Sequence, residues 1–386
     1  MKILIVLTYY RPHISGLTIY AERLAKAFAA IGHKVTILTS QFDKSLPREE
    51  CIDGVRIIRA PVLFRLSKGV IMPTFGLLAS KLAAKTDVIQ LHLPQFDAAG
   101  ISLRGRLLKK PTVITYHCDL LLPPGLLNRT ANLAVSFMNW LTAIFTHRIV
   151  TYTHDYAEHS KYLNQQLHKV KIIPPPVVLP ESTPQLVREF AGVHNSEKKQ
   201  PVIGMAARFA TEKGVEVLLT ALPKILERYP NTLVQFVGPY QNIIGEEEYF
   251  QRLAGQIKGF EQGGNWQFLG SLNPEQMAAF FPNLDVLVLP SLNSTEAFGL
   301  VQIEAMMNGV PCVASSLPGV RQPVMIHKMG KVFPIGDANA LADSILEVLD
   351  QKAAFTIPQV DFSMYNPEKV AKEYELLFEQ IKEELH

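Results

Sequence analysis

Two glutamates frame a short segment with the residue types for binding an anionic ligand. The segment TEAFGLVQIEAMMNGVP places Glu296 and Glu304 eight positions apart, with Gly299 between them. The apolar residues that follow predict a helix from about Gly299 to Asn308. At such a helix start, the N–H groups of Gly299 and Leu300 and the positive end of the helix dipole favour a diphosphate.

Glu304 has two interpretations. Its neighbours Ile303 and Ala305 are apolar, and it does not share a clean polar face with Gln302. A solvated helix glutamate is the ordinary interpretation, because glutamate is rarely buried unless it is paired. The alternative is a functional carboxylate inside the protein, and the other segments of the chain favour it.

Short apolar strands alternate with amphipathic helices along the whole chain. Strands that are apolar throughout and separated by helices indicate parallel sheets covered on both faces, so each half is predicted to be a doubly wound α/β domain. Ligands of such sheets lie beyond the carboxyl ends of the strands. The predicted strands are 2–8, 34–40, 55–61, 87–93, 112–117 and 148–153 in the first half, and 201–207, 232–238, 266–270, 285–290 and 311–315 in the second.

A proline run marks the predicted domain boundary. The sequence Ile173-Pro174-Pro175-Pro176 cannot continue a helix and enforces an extended connector. We expect residues 1–176 to form one domain and residues 177–366 the other, with a cleft between them. The C-terminal helix pattern, residues 367–386, needs a partner surface, and we expect it to pack back onto the first domain.

The two halves carry opposite net charge. Residues 1–180 hold 22 Lys and Arg against 10 Asp and Glu, a net +12. Residues 181–386 hold 16 against 25, a net −9, so the overall +3 conceals a strong asymmetry. The halves are therefore expected to meet different partners.

Cysteine usage and hydropathy exclude several classes. Cys51, Cys118 and Cys312 are odd in number, widely spaced and without a CxxC pair, which indicates a reducing, cytoplasmic setting and no disulfide framework. The opening MKILIVLTYYRP is short for a signal peptide and is predicted to be the first buried strand. The apolar stretch 133–145 is shorter than the roughly 18 residues of a membrane span.

Several segments together resemble one enzyme family. EAFGLVQIEAMMNGVP resembles the E-x7-E signature of family four retaining glycosyltransferases, which have the GT-B fold. MAARFATEKGVEVLLTAL resembles the family's donor-diphosphate element and supplies Arg208 and Lys213. FLGSL, ending at Leu272, resembles the segment that recognises the nucleobase. HISGLTIYAERLAKAF resembles the N-terminal glycine loop and first helix, with Gly16 after Ser15, and TYHCD places His117 where the family has an active-site histidine.

The resemblance implies two Rossmann-like domains facing a cleft and a retaining hexosyl transfer from a nucleotide-diphosphate sugar. Glu304 would accept hydrogen bonds from the ribose, and Glu296 would position the sugar hydroxyls. Fixed cations would neutralise the leaving diphosphate, and no DxD motif is present, so neither a metal nor any other cofactor is expected. The implied donor-binding residues are Gly16, Arg208, Lys213, Leu272, Phe298, Gly299, Leu300 and Glu304, and the implied catalytic residues are Glu296 and His117.

Simpler interpretations stay open for single residues and for the whole chain. Arg208 and Lys213 could be ordinary surface cations, His117 a structural histidine at a strand end, and Gly16 a turn residue. An NAD-dependent oxidoreductase is disfavoured, because the loop after the first strand has no GxGxxG. A sugar-nucleotide epimerase, a phosphorylase and an inactive membrane-associated scaffold remain alternatives.

The basic first half suggests where the acceptor comes from. Cations and apolar residues alternate in segments 63–73 and 102–111, and a long, weakly polar helix is predicted over 126–145. Such segments bind anionic membrane surfaces, although solvated helices covering the sheet are the ordinary explanation. We expect a lipid-linked or cell-envelope glycan as acceptor, peripheral contact with the inner face of the membrane, and no nucleic-acid partner.

Overall fold

The computed structural model describes residues 1–66, 69–120, 126–243, 245–357 and 360–385. Within this range the chain forms two compact units. Unit 1 comprises Met1–Val177 and Ser363–His386, and unit 2 comprises Val178–Phe362. The sequence placed these boundaries at residues 176/177 and 366/367, so the second one falls four residues earlier in the structure.

Unit 1 is built on an eight-stranded sheet. Its spatial order is β10-β9-β8-β7-β1-β2-β4-β3, and all neighbours are parallel except the antiparallel pair β3 and β4. A separate antiparallel pair is formed by β5 and β6. The strands are β1 (Lys2–Val6), β2 (Lys34–Gln41), β3 (Glu49–Ile52), β4 (Val55–Pro61), β5 (Phe64–Leu66), β6 (Gly69–Ile71), β7 (Val88–Leu93), β8 (Thr112–Tyr116), β9 (Arg148–Thr151) and β10 (Val170–Ile172).

Helices cover this sheet, and the last helix of the chain is among them. Tyr374 of that helix donates or accepts a 2.8 Å hydrogen bond with the hydroxyl of Tyr20, and Phe378 packs against Phe28. The C-terminal helix thus packs onto unit 1, as the sequence predicted. The helices are α1 (Gly16–Ala30), α2 (Phe75–Ala83), α3 (Ala98–Leu107), α4 (Leu126–Phe145), α5 (His154–His159) and α14 (Pro367–Glu384), with a 3-10 helix at Leu163–Lys169 and another at Ser363–Tyr365.

Unit 2 is a six-stranded parallel sheet in the order β13-β12-β11-β14-β15-β16. Its strands are β11 (Val202–Ala206), β12 (Leu233–Val237), β13 (Trp266–Gly270), β14 (Val286–Leu289), β15 (Cys312–Ser315) and β16 (Gly330–Phe333). Its helices are α6 (Pro184–His194), α7 (Val215–Arg228), α8 (Glu247–Gln262), α9 (Pro274–Phe280), α10 (Leu300–Met307), α11 (Gln322–His327), α12 (Ala338–Asp350) and α13 (Lys352–Phe355), with 3-10 helices at Thr211–Lys213 and Phe281–Asn283.

Burial on both faces explains the sequence pattern. Every residue of β7, β8, β11, β12, β14 and β15 is buried, which is why these strands are mostly apolar and lack an exposed polar face. All eleven predicted strands are present. Among the described residues, five further short strands were missed, and β3 shows why, since its sequence EECI is polar and largely exposed at the sheet edge.

Among the described residues, no helix combines the length and the apolar character needed to cross a bilayer. Part of one predicted surface segment, Ser67 and Lys68 of 63–73, lies outside the described residues.

Candidate functional site

The loop after β11 carries both predicted cations of unit 2. It holds Arg208 and then a 3-10 turn that ends at Lys213, and Gly214 follows as the N-cap of α7. Gly214 has φ +69°, and a Cβ there would lie 2.1 Å from the carbonyl oxygen of Pro290. Glycine is therefore required, because it lets this loop press against the chain leaving β14. The contact is closed by the N–H of Leu292, which donates to the carbonyl of Glu212 over 2.9 Å.

This close approach brings two predicted site residues together. The Nζ of Lys213 lies 2.5 Å from Oε2 of Glu296, and the side chains are only 16% and 18% exposed. Glu296 sits in the loop between β14 and α10, where its N–H donates to the carbonyl of Asn293 over 3.2 Å. A mostly buried ion pair between two bonded loops is a fixed arrangement, so Lys213 is not a freely solvated cation.

Arg208 is also held by a carboxylate. Its guanidinium forms an ion pair with Glu212 in the same loop, and the arginine side chain remains 40% exposed. The loop is fixed further along by Thr211, whose N–H and hydroxyl both donate to Glu246, over 2.9 and 2.8 Å. The loop that carries Arg208 is therefore held in place, while the arginine side chain stays partly accessible to solvent.

Helix α10 begins shortly after Glu296 of the Lys213–Glu296 ion pair. Its N-cap is Gly299, with φ +80°, where a Cβ would lie 2.3 Å from Cδ2 of Leu289. Phe298 is 3% exposed, and Leu300, the first helical residue, is half-buried. The first turn of the helix contains no acidic residue, so its positive end is not neutralised from within. This is the helix start that the sequence predicted, one residue later.

Glu304 lies inside unit 2. It is 6% exposed, on the second turn of α10, so the solvated-glutamate interpretation is wrong. The helix is held by Gln302, whose Nε2 donates to the carbonyls of Phe298 and Val320, each over 2.9 Å. A buried carboxylate on an anchored helix has a fixed direction, which suits hydrogen-bond acceptance from a ligand.

Leu272 lies in the loop after β13, half-buried between Gly270 and the N-cap of α9. The cap is Asn273, whose Oδ1 accepts from the N–H of Gln276 over 2.8 Å. Both β13 and β11 are parallel members of one sheet, so their following loops open at the same edge. Leu272, Arg208 and Glu296 thus belong to one edge of unit 2.

His117 follows β8 in unit 1 and is 7% exposed. Its Nε2 lies 2.7 Å from Nδ1 of His92, and its Nδ1 is hydrogen-bonded to the hydroxyl of Tyr152. The ring of Tyr20 meets it edge-on, with centroids 4.9 Å apart. Both nitrogens of His117 are therefore occupied by protein groups.

Burial keeps this histidine pair neutral. Desolvation lowers the pKa of His92 to about 3, and desolvation together with the nearby His92 lowers the pKa of His117 well below 6.5. Among the described residues, Nε2 of His92 has no hydrogen-bond partner. The pairing that avoids a buried, unpaired N–H there has His92 Nδ1–H donating to His117, and His117 Nδ1–H donating to the oxygen of Tyr152.

The network extends to the C-terminal helix. The hydroxyl of Tyr374 lies 2.8 Å from that of Tyr20 and 2.8 Å from Oγ1 of Thr115, and Gln90 donates to Thr115 over 3.1 Å. Helix α14 therefore contributes a buried hydroxyl to the layer beneath His117.

Gly16 is the first residue of α1, after the N-cap Ser15. It is exposed, and a Cβ there would meet nothing within 4 Å. Its φ is not positive, so the backbone conformation alone does not require a glycine here. The space around Gly16 is open, and its contact with the donor stays a prediction.

Sequence reasoning missed His92, Tyr152 and Glu212. For His92 a signal existed, because it pairs in register with Thr115, and His117 lies two residues beyond Thr115 on the same face. Tyr152 reaches the pair from another strand end, and Glu212 acts within an irregular loop, so neither follows a spacing rule.

Comparison with known proteins agrees with this architecture. The model of the family described as Glycosyltransferase Family 4 matches residues 14–179, and the model described as Glycosyl transferases group 1 matches residues 187–367. An uncharacterized glycosyltransferase of Methanocaldococcus jannaschii is 29% identical over 353 residues, which cover 86% of this chain and 85% of the relative. Phosphatidyl-myo-inositol mannosyltransferase of Mycolicibacterium smegmatis is 23% identical, with coverage of 91% and 85%.

A solved structure shows the same fold. The crystal structure of Anabaena HepE in complex with UDP-glucose superposes with a TM-score of 0.74 at 18% identity, covering 100% of this chain and 99% of the other. Two Rossmann-like units with these matched regions define a glycosyltransferase of the GT-B fold. The chain belongs to the family four glycosyltransferases.

Proposed function

We propose that this protein is a retaining, metal-independent hexosyltransferase that uses a nucleotide-diphosphate sugar. The observation that carries the proposal is the Lys213–Glu296 contact of 2.5 Å, directly before the start of α10. It brings a cation and a carboxylate together just before a helix N-terminus, at one sheet edge. Those are the groups needed to hold a diphosphate with a sugar attached.

The donor residues have separate roles in this proposal. Arg208 and Lys213 bind the diphosphate, and the N–H groups of Gly299 and Leu300 add to its stabilisation. The buried Glu304 accepts hydrogen bonds from the ribose hydroxyls. Glu296, held by Lys213, positions the hydroxyls of the transferred sugar.

Leu272 and Phe298 complete the donor site in the proposal. Leu272, in the loop after β13, lies against the base through its backbone and side chain, and Phe298 supports the turn into α10. For Gly16, the contact with the donor stays a prediction from the resemblance. No added cofactor takes part, since the nucleotide sugar is itself the second substrate.

The transfer proceeds by displacement on one face of the sugar. The acceptor hydroxyl oxygen forms a bond to the anomeric carbon as the bond from that carbon to the diphosphate oxygen breaks, and the leaving phosphate oxygen takes the hydroxyl proton. Negative charge grows on the diphosphate, where Arg208 and Lys213 stabilise it most in the transition state. Glu296 forms no covalent bond in this scheme.

His117 has a neutral role. Its lowered pKa and its two occupied nitrogens do not suit proton transfer at neutral pH. We assign it a fixed polar position at the carboxyl edge of the unit 1 sheet, with His92 and Tyr152 setting its orientation.

The proposed hexose is glucose or mannose, by similarity to relatives whose names specify these sugars. The proposed acceptor is a lipid-linked or cell-envelope glycan, reached at an anionic membrane surface. Helix α4 supports this, because exposed Leu133, Phe137, Trp140 and Ile144 follow one another at helical spacing and form an apolar stripe. Arg106 and Lys109, at the end of the neighbouring α3, supply cations.

The test begins with the donor. The protein is screened by thermal shift against uridine, guanosine and adenosine diphosphate hexoses, where a ligand at 100 times its Kd stabilises by about 2.7 kcal/mol. Transfer with the selected donor is then followed by proton NMR of the anomeric signal, with and without EDTA. An inverted product would overturn the retaining assignment, and activity lost in EDTA and restored by magnesium would overturn metal independence.

Membrane contact is tested by sedimentation with vesicles of phosphatidylcholine alone or with phosphatidylglycerol. We expect binding only to the anionic vesicles, release as salt approaches about 0.5 M, and weaker binding of the Phe137→Ser, Trp140→Ser variant. Equal recovery in the supernatant with both vesicle types at low salt would remove the membrane surface as a partner.

A further inference from the structure

A second polar site lies at the opposite edge of the unit 1 sheet from His117. A pocket of about 550 Å³ opens where β8, β9 and β10 begin. It is lined by residues from the ends of α3, α4 and α14 and from the strand starts, namely Arg106, Lys109, Ile144, Thr146, His147, Arg148, Lys169, Glu384 and Leu385. His117 lies at the far end of β8, so this pocket is separate from the site described above.

The pocket has an excess of positive charge. Four of the lining residues are Lys or Arg, and Glu384 is the single carboxylate side chain among those described. Glu384 is paired with Arg148. Lys169 donates to the carbonyls of Ala143 and Thr146, over 2.6 and 3.1 Å, so its charge is held in place by neutral groups. In the described part of the chain, Arg106 and Lys109 form no ion pair.

His147 adds a neutral donor to the wall. The N–H of Thr112 donates to its Nδ1 over 3.1 Å, so the neutral ring carries its proton on Nε2. That nitrogen is buried and has no hydrogen-bond partner among the described residues, and the residue is 8% exposed. A buried donor without a partner costs free energy, and an oxyanion entering the pocket would offer it an acceptor after a small shift.

The electrostatics agree with a site made for an anion. Burial lowers the pKa of Lys169, and the nearby Arg106 and Arg148 lower it further. Burial also lowers the pKa of His147, with Arg106, Lys169 and Arg148 acting in the same direction. Like charges gathered around one pocket repel one another, and a bound anion would relieve that repulsion.

We propose that this pocket binds a phosphate-type oxyanion through Arg106, Lys109 and Arg148, with His147 as a neutral donor. Arginine forks match phosphate oxygens in pairs, and a phosphate dianion offsets most of the excess charge. Exposed Ile144 joins the pocket to the apolar stripe of α4, so the phosphate belongs either to a lipid headgroup or to a free anion. The pocket shares Arg106 and Lys109 with the proposed membrane surface, but it contains none of the donor residues.

The first experiment follows the imidazole of His147 by NMR, assigned with His147→Gln, as inorganic phosphate replaces chloride at constant ionic strength. We expect saturable shifts and a rise in the pKa of His147, because the anion favours the protonated ring. The Arg106→Gln, Lys109→Gln variant should bind phosphate roughly tenfold more weakly or worse. The Lys44→Gln, Lys161→Gln variant removes the same charge from exposed positions outside the pocket and should behave as wild type.

A second variant is expected to bind phosphate more tightly than wild type. Glu384→Gln releases Arg148 from its carboxylate and should tighten phosphate binding, a result that unfolding cannot imitate. The source of the phosphate is resolved with vesicles of phosphatidylcholine containing phosphatidic acid. Binding that inorganic phosphate competes away, and that the pocket variant loses, assigns a lipid headgroup. Saturable phosphate binding without vesicle binding assigns a free anion, and linear, non-saturating shifts that are the same in all variants overturn the site.

Discussion

The polar groups of the two units differ in charge and in burial. In unit 2, the candidate site is made of charges in pairs, Lys213 with Glu296 and Arg208 with Glu212, at a partly open edge. In unit 1, the layer around His117 is made of neutral rings and hydroxyls that are almost fully buried. Burial without a charged partner lowers the pKa of both imidazoles, so the layer in unit 1 stays neutral.

Because of this difference, we expect changes of charge, salt and pH to affect the two units differently. A site that stabilises growing negative charge should respond most to the loss of a cation and to salt. A neutral hydrogen-bonded layer should instead respond to pH, and through stability rather than chemistry. Each prediction below tests one side of this comparison.

The largest effect is expected for Lys213→Met. Removing one group that stabilises transition-state charge lowers kcat roughly 100- to 1,000-fold, or about 3 to 4 kcal/mol. Steady-state kinetics with the identified donor measure this, and Lys213→Arg should retain far more activity because the charge stays.

Loss of Lys213 also leaves Glu296 without its cation, so the Lys213→Met, Glu296→Gln variant is the matched control. If the double variant recovers most of the wild-type rate, the freed carboxylate caused the defect and Lys213 does not stabilise the diphosphate.

Glu304→Gln is expected to have the next largest effect. An amide accepts hydrogen bonds from ribose hydroxyls less strongly than a carboxylate, so affinity for the nucleotide diphosphate should fall by about 1 to 3 kcal/mol. Isothermal titration measures it directly. Glu296→Ala, which affects the sugar part of the site, should leave that affinity nearly intact while turnover falls. Unchanged affinity in Glu304→Gln would contradict the ribose assignment.

The sequence predicted the architecture better than the connections within the sites. Apolar strands such as β11 and β14 indicate a two-sided parallel sheet, and the turn into α10 follows from Gly299 and the apolar residues after it. The Lys213–Glu296 pair spans 83 positions and depends on Gly214 pressing against Pro290, which no local pattern shows. The hydrogen-bond partners of His117 were missed for the same reason, since they depend on the register of β7 with β8 and on Tyr152 at another strand end.

The neutral layer of unit 1 predicts a pH-dependent stability. The pKa of His92 falls from 6.5 to about 3 on folding, and that of His117 falls well below 6.5. The unfolded chain then binds protons first, so stability is fully present above pH 6.5 and is lost as pH falls toward the folded values. Each histidine contributes a slope of about 1.4 kcal/mol per pH unit in that window.

Urea unfolding between pH 7.5 and 5 measures how the free energy of unfolding changes with pH in wild type and in His92→Gln. In His92→Gln the slope should be smaller by about 1.4 kcal/mol per pH unit, the contribution of one proton. His168→Gln removes an exposed imidazole and is the control. Equal slopes in wild type and His92→Gln would show that His92 is not held neutral by the fold.

The smallest expected effect is the loss of one tyrosine hydroxyl. It compares a hydroxyl that is hydrogen-bonded, that of Tyr152, with one that is not, that of Tyr162 in the described part of the chain. Tyr152→Phe leaves Nδ1 of His117 without its partner in a buried site, so the free energy of unfolding should fall by about 1 kcal/mol. Tyr162 is the matched control, because its ring stacks on Tyr116 with centroids 4.8 Å apart and its buried hydroxyl has no partner among the described residues. Tyr162→Phe therefore removes an unsatisfied polar atom and should be neutral or stabilising. Equal losses in the two variants would mean that the hydroxyl of Tyr152 contributes packing alone, and that His117 is not oriented by it.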